Sequence, residues 1–174
     1  CLLRFDDTVP GEITLSFRDL QVRRVLSRAG TILEMKVYLT LLEPDMGYTD
    51  CLTGVKIDWD GLRKEETDED YDDYIETDNE IDVLAMRGAV PIFISCKSGY
   101  IDANELYKLE TVARRFGGPY AKLVLVANGI PFNKYGENIR DRAKQMKIHL
   151  VEAVHKLDDS QMLKEKLDHL WEIE

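Results

Sequence analysis

The chain has 174 residues, of which 44% are hydrophobic and 32% charged, and it carries a formal charge of −10. That length suits one domain rather than two, and no apolar run approaches the roughly 18 to 20 residues of a membrane span. The acidic balance argues against indiscriminate binding to a polyanion, which rests on lysine and arginine. It leaves open an acidic site that recruits cations first and meets phosphates through them.

Cys1, Cys51 and Cys96 are odd in number and widely separated, which argues against a disulfide framework or a tetrathiolate zinc site and fits a reducing cytoplasm. The opening residues, CLLRFDDTVPGE, lack a basic start followed by an apolar stretch, so they do not read as a signal peptide. They read as a chain entered midway, and residues 1–29 are expected to be a linker or extension from an upstream domain. Much of the acidic excess is local, between Glu65 and Asp78, and reads as a solvated loop, with restraint of polyanion entry as its sharper alternative.

In chain order, Ile13, Leu15 and Phe17 alternate as in a short strand, and Leu20, Val22, Val25 and Leu26 suit a helix opened by Asp19 and stopped by Gly30. The segment GTILEMKVYLTLLEP, from Gly30 to Pro44, reads as a helix, with a strand as the competing reading because of its β-branched content. Val55, Ile57 and Trp59 alternate with polar residues in a half-buried strand. Asn79 to Lys97, NEIDVLAMRGAVPIFISCK, reads as two antiparallel strands joined at Arg87 and Gly88.

Asp102 to Phe116 is a helix with Asp102 at its N-cap, Glu105 completing a capping box, and Gly117 and Gly118 as the stop. Ala121 to Ala127 is a strand buried on both faces. A basic helix over Asn138 to Met146, a short strand from Ile148 to Val151 and an amphipathic helix from Ser160 to Trp171 complete the chain. From residue 30 onward the order α, β, β, β, α, β, α, β, α predicts a mixed sheet with helices on both faces.

Paired strands lie about 5 Å apart, so an acid on one and a lysine at the end of the next can share a site. Hydrolysing a phosphodiester needs an activated water and an electrophilic phosphate; a carboxylate-held divalent ion serves both, and a lysine can orient or deprotonate the water. Asp82 and Lys97 suit those roles, although such pairs are also common as plain surface neighbours.

The segments TILEMKVY, NEIDVLAMRGAVPIFISCKSG, ELYKLETVARRFGG and KLVLVANG resemble the PD-(D/E)XK nuclease core. More narrowly, they resemble the C-terminal nuclease domain of the CRISPR-associated proteins with a cyclic-oligoadenylate sensor domain, the CARF nuclease group. The resemblance runs over roughly residues 30 to 155. It implies an α/β, restriction-endonuclease-like mixed sheet flanked by helices over residues 30–174, and a domain that cuts DNA or RNA with Mg²⁺ or Mn²⁺. It also implies a homodimer and an activating sensor domain outside this chain.

By resemblance, Glu34 matches the helix glutamate, Asp82 the strand aspartate and Lys97 the lysine, and the Cys96 backbone carbonyl stands where the superfamily lends one to the metal. Ser95 departs from the pattern, which has a second acid there; serine is a far poorer Mg²⁺ ligand than a carboxylate. Either Glu34 or Glu80 supplies the missing charge, or metal affinity is low, or the site is inactive and the domain a nuclease-fold binding module. Glu80, two residues from Asp82 and so on the same strand face, is the compensating acid the pattern favours.

Glu105 and Lys108 can also face the site. His149, His155 and His169 have no second ligand at metal spacing and read as surface or packing residues. Gly117, Gly118, Asn128 and Gly129 are turn residues, because they fit no phosphate-binding fingerprint. Arg114, Arg115, Lys122, Lys134, Arg140, Arg142, Lys144 and Lys147 are the basic counterpart, and Arg140 to Lys147 is the likeliest stretch to touch a nucleic-acid backbone.

Overall fold

A computed structural model describes residues 2–6, 9, 11, 14–28, 30–57, 79–152, 154 and 160–171. The strands are β1 (Leu3–Asp6), β2 (Thr14–Phe17), β3 (Asp50–Ile57), β4 (Asn79–Arg87), β5 (Val90–Lys97), β6 (Lys122–Ala127) and β7 (Ile148–Val151). The helices are α1 (Leu20–Ser27), α2 (Thr31–Leu41), α3 (Ala103–Val112), α4 (Lys134–Gln145) and α5 (Ser160–Asp168). From α2 onward the order is the one the periodicity predicts.

One five-stranded sheet runs β3-β4-β5-β6-β7. β3, β4 and β5 are antiparallel neighbours, whereas β6 lies parallel to β5 and β7 parallel to β6. Each parallel step is bridged by a helix, as parallel pairing requires a crossover. Alternate residues of the central strands feed two cores. Ile92, Ile94, Cys96, Val124 and Val126 pack under α2 and α5 with Leu33, Val37, Leu41, Leu163 and Leu167. Phe93, Leu123, Leu125 and Ala127 pack on the other side with Leu106, Leu109 and Val112 of α3 and Ile139 and Ala143 of α4. The unbroken apolar run of β6 is therefore explained by burial on both faces.

The Gly30 to Pro44 segment is helical. Gly30, at φ 94°, provides the turn into α2, which ends at Leu41 before a short 3₁₀ turn at Pro44–Met46. Its β-branched residues do not make it a strand because Leu33, Val37 and Leu41, spaced by four, all reach the core.

Elsewhere the structure departs from the periodicity reading. β1 was not legible, since its residues are exposed throughout; it pairs antiparallel with β2 from Leu3↔Phe17 to Asp6↔Thr14. Asp19 does cap α1, accepting from the Val22 N–H at 2.9 Å, but α1 buries no side chain. α3 ends at Val112 and continues as a wider π-helical turn over Ala113–Gly117. α4 begins at Lys134 rather than Asn138, capped by the Asn133 side chain, which accepts from Gly136 N–H at 3.0 Å. Ile13, Trp59, the acidic run from Glu65 to Asp78 and His155 lie outside the described residues. Among the described residues no helix is long and apolar enough to cross a membrane.

One irregularity positions the site. β3 and β4 pair as Thr53↔Val83 and Val55↔Ile81, and Gly54 between them adopts φ 59°, a left-handed conformation that glycine takes without steric cost. Val83 packs into the first core, yet Ile81, two residues away, packs into the second with Val55 and Ile57. The strand pair turns over at Gly54 and Asp82, so strict alternation does not carry across that point.

Candidate nuclease site

The registered β4–β5 ladder runs from Arg87↔Val90 to Val83↔Ile94. Past it the Asp82 carboxylate takes the place of a backbone acceptor: Oδ2 accepts from the Cys96 N–H at 2.6 Å and from the Ser95 hydroxyl at 3.2 Å. β5 meanwhile stays paired with β6 as far as Lys97↔Ala127. A cleft of about 290 Å³ opens there, and Asn79, Glu80, Asp82, Ser95, Lys97, Glu105 and Lys108 supply its polar lining.

Lys97 Nζ lies 2.8 Å from Glu105 Oε2 of α3. Burial pulls the Lys97 amine down, but the hydrogen bond and charge of Glu105, together with Asp82, outweigh it and hold the group above the ordinary lysine value. Lys97 is thus an ammonium at neutral pH, suited to donating hydrogen bonds to a water or a phosphate oxygen. Among the described residues the Glu105 carboxylate serves Lys97 rather than a capping box, while Asp102 caps α3 by accepting from Asn104 N–H at 3.3 Å. The sequence offers Glu105 both as a capping acid and as a residue facing the site; the approach of α3 to the end of β5 pairs it with Lys97.

Glu34 comes from α2 and stands at the edge of the cleft rather than in its lining. A methyl on Gly30 would lie 3.3 Å from Glu34 Oε1, so the carboxylate is tucked against the helix start. Burial, and then the charges of Asp82 and Glu80, push the Glu34 carboxyl above the ordinary glutamate value, with Lys97 partly opposing them. The three acids therefore repel one another across a small space, the electrostatic condition that a bound cation relieves. Among the described residues no three carboxylate, imidazole or thiol groups already converge as a metal cage, so these side chains would have to close on an ion. The donor set fits a hard divalent cation in charge and ligand type.

Below the ordinary glutamate value Glu34 is neutral in folded and unfolded chains alike. As pH rises through its raised folded value, ionisation penalises the fold. Glu34→Gln is expected to raise the melting temperature of the metal-free protein at pH 7, with the gain vanishing near pH 4. Thermal melts in EDTA at the two pH values check this; a lower melting temperature at pH 7 would contradict the repulsion.

Cys96 lies between two cleft residues, but its thiol is buried in the first core, and burial with the nearby Asp82 and Glu34 charges pushes it far above the ordinary thiol value. Its side chain is packing; only its backbone is near the cleft. Glu80 is exposed and joins Asp82 in the lining despite the turn-over of β4. His149 sits on β7 and His169 in the turn after α5, and neither lines the cleft.

Several of the basic residues are engaged locally. Arg114 pairs with Glu110 at 2.7 Å. Arg140 pairs with Glu152 at 2.7 Å and donates to the carbonyls of Ile130 and Pro131. Arg142 donates to the Tyr107 hydroxyl at 2.7 Å.

No family model and no curated protein sequence matches the chain. Among solved structures it is similar to protein VC1899 from Vibrio cholerae, with 22% identity and a TM-score of 0.66 over 98% of this chain and 40% of that one. It is also similar to Can2 from Sulfobacillus thermosulfidooxidans in complex with cyclic tetra-adenylate, with 17% identity and a TM-score of 0.62 over 97% of this chain and 42% of that one. The chain spans about two fifths of the length of either protein. What they share with it is the fold, a restriction-endonuclease-like mixed sheet flanked by helices.

Proposed function

We propose that the chain is a metal-dependent nuclease domain that hydrolyses phosphodiester bonds in DNA or RNA, as the effector part of a CRISPR-associated defence protein switched on by a cyclic oligoadenylate. The observation that carries this reading is the gathering of Asp82, Lys97 and Glu80 in one cleft, with Glu34 at its edge and Glu105 holding Lys97. The fold shared with a protein that binds cyclic tetra-adenylate supports the signalling half of the proposal, and a homodimer is the expected assembly.

In this reading Glu34, Asp82 and Glu80 would hold Mg²⁺ or Mn²⁺ with help from the Cys96 carbonyl. When bound, the ion polarises the phosphate and lowers the pKa of a water. Ser95, in place of a second acid, acts through Asp82: its hydroxyl and the Cys96 N–H fix the carboxylate by one oxygen. Lys97 positions the attacking water or steadies phosphate charge, and Glu105 keeps it protonated.

Glu105→Gln removes the Glu105 charge and leaves Asp82 against burial, so the Lys97 amine falls. Since the ammonium is the working form, cleavage should fall off on the alkaline side, and that limb should move to lower pH in the variant. A pH–rate profile of both proteins reads this, and an unmoved alkaline limb would remove Lys97 protonation from the mechanism.

A second reading, a nuclease-fold module that binds without cutting, is favoured by Ser95 and by the absence of a ready-made cage among the described residues. Incubation with single-stranded DNA, single-stranded RNA and supercoiled plasmid, each in Mn²⁺ and in EDTA, tests the proposal directly. Cutting in Mn²⁺ that EDTA stops is expected; no cutting of any substrate would favour the binding module.

A further inference from the structure

We infer that the α3–α4 side of the cleft carries a docking site for unpaired bases of a single-stranded nucleic acid, built on Tyr100 and Phe132. The inference rests on the nucleic-acid reading above and adds the strand state and the residues that read it.

Each ring is backed on one face and open on the other. Tyr100 stacks on Tyr135 with centroids 5.3 Å apart and planes 19° from parallel, and Tyr135 is itself anchored, its hydroxyl donating to the Ile101 carbonyl. Tyr100 remains 78% exposed. Phe132 is 95% exposed, with the Arg140 guanidinium 5.0 Å from its ring centroid. That guanidinium is held by Glu152 and by the carbonyls of Ile130 and Pro131, so it forms a fixed cationic backing.

Folding gives no reason for Phe132. It precedes the Asn133 cap, where an apolar residue usually staples onto the fourth helical residue, but that residue here is Glu137. An isolated exposed aromatic would need no explanation. Phe132 is three residues from Tyr135, so their Cα atoms lie within roughly 11 Å, and Tyr135 is the ring on which Tyr100 stacks, which puts two exposed aromatics on one stretch of surface. Tyr100 is likewise three residues from Lys97, which keeps the platform beside the cleft.

Charge complementarity points to the same occupant. Against the formal charge of −10, α4 carries Lys134, Arg142 and Lys144, opposed by Glu137 and Asp141, while Arg140 is paired with Glu152. Arg142 also covers Tyr107 on α3, 5.8 Å from its ring centroid, beside the cleft residue Lys108. Exposed rings within a locally cationic strip are how proteins hold single strands, because every base has a face to stack and only unpaired bases present it. A duplex keeps its bases stacked on each other and offers such rings nothing.

The test is fluorescence anisotropy of the full chain, in EDTA so that no strand is cut, with a labelled oligothymidylate and with the same strand in a duplex. Phe132→Ala and Tyr100→Ala should each weaken single-strand binding by about 5- to 150-fold, and Phe132→Trp should restore it, with duplex affinity unmoved. Wild-type single-strand affinity in both alanine variants, or an equal loss on the duplex, would overturn the site. A chain that cuts nothing yet loses single-strand affinity in these variants supports the site and overturns only the nuclease reading.

Discussion

Lys97→Ala is expected to lower Mn²⁺-dependent cleavage by about 10²- to 10⁴-fold, the range lost with a positioned proton-transfer or water-orienting group. The fold should survive, because the Lys97–Glu105 pair is partly exposed and such pairs contribute only about 0–1 kcal/mol. For Asp82 the informative variant is Asp82→Asn rather than alanine. Truncation would leave the Cys96 N–H and the Ser95 hydroxyl without their acceptor, at a cost of about 1–3 kcal/mol, and would confuse lost chemistry with lost structure. The amide keeps an acceptor oxygen in place and removes only the charge that a cation needs. Calorimetric titration with Mn²⁺ should show a saturable site in the unaltered chain that Asp82→Asn lacks, alongside a comparable loss of cleavage. Undiminished cutting by both Lys97→Ala and Asp82→Asn would end the nuclease assignment to this cleft. No Mn²⁺ site in the unaltered chain would leave the binding-module reading in its place.

Gly136→Ala should be the costliest methyl to add among the described glycines. The added carbon would lie 1.8 Å from the Pro131 carbonyl oxygen, 2.9 Å from its carbon and 3.1 Å from a methyl of Ile130. The neighbour that must give way is backbone, and it is pinned, since Arg140 takes hydrogen bonds to the Ile130 and Pro131 carbonyls at 2.9 and 3.3 Å. Overpacking of this kind costs about 1–3 kcal/mol, which for a chain of this size lowers the melting temperature by roughly 2–12 °C. Gly129→Ala is the control: a methyl there meets nothing within 4 Å, and its melting temperature should be unchanged. Equal melting temperatures for the two variants would mean that the loop before α4 yields freely.

The elements most legible beforehand were those whose apolar spacing is decided by burial. β5, β6, α3 and α5 each place their apolar residues in a core, because a strand buried on both faces and a helix with one apolar stripe leave different periods in the chain. Of the N-terminal hairpin, β2 showed in the alternation of Leu15 and Phe17 and β1 left no trace. β1 is exposed throughout and buries nothing in either core, so burial period could not mark it. The early start of α4 was hidden for another reason: Gly136 is unfavourable inside a helix by propensity, and what selects it is the Pro131 carbonyl packed against it, a contact no local pattern records.

For the site, the residue types were present in the chain, and Asp82, Glu80, Glu34 and Lys97 could be named from their elements and from a family resemblance. Their arrangement could not. Gly54 at positive φ turns the β3–β4 pair over beside Asp82, the arrival of α3 gives Lys97 its partner, and the start of α4 stacks Tyr135 on Tyr100. The sequence by itself determined the order of elements, the two-sided sheet and the candidate acids and lysine, since burial period and residue chemistry are local properties. Which acids share a field, which oxygen of Asp82 is already bonded and which carboxylate holds Lys97 were decided only by tertiary structure, because they depend on distances between residues far apart in the chain.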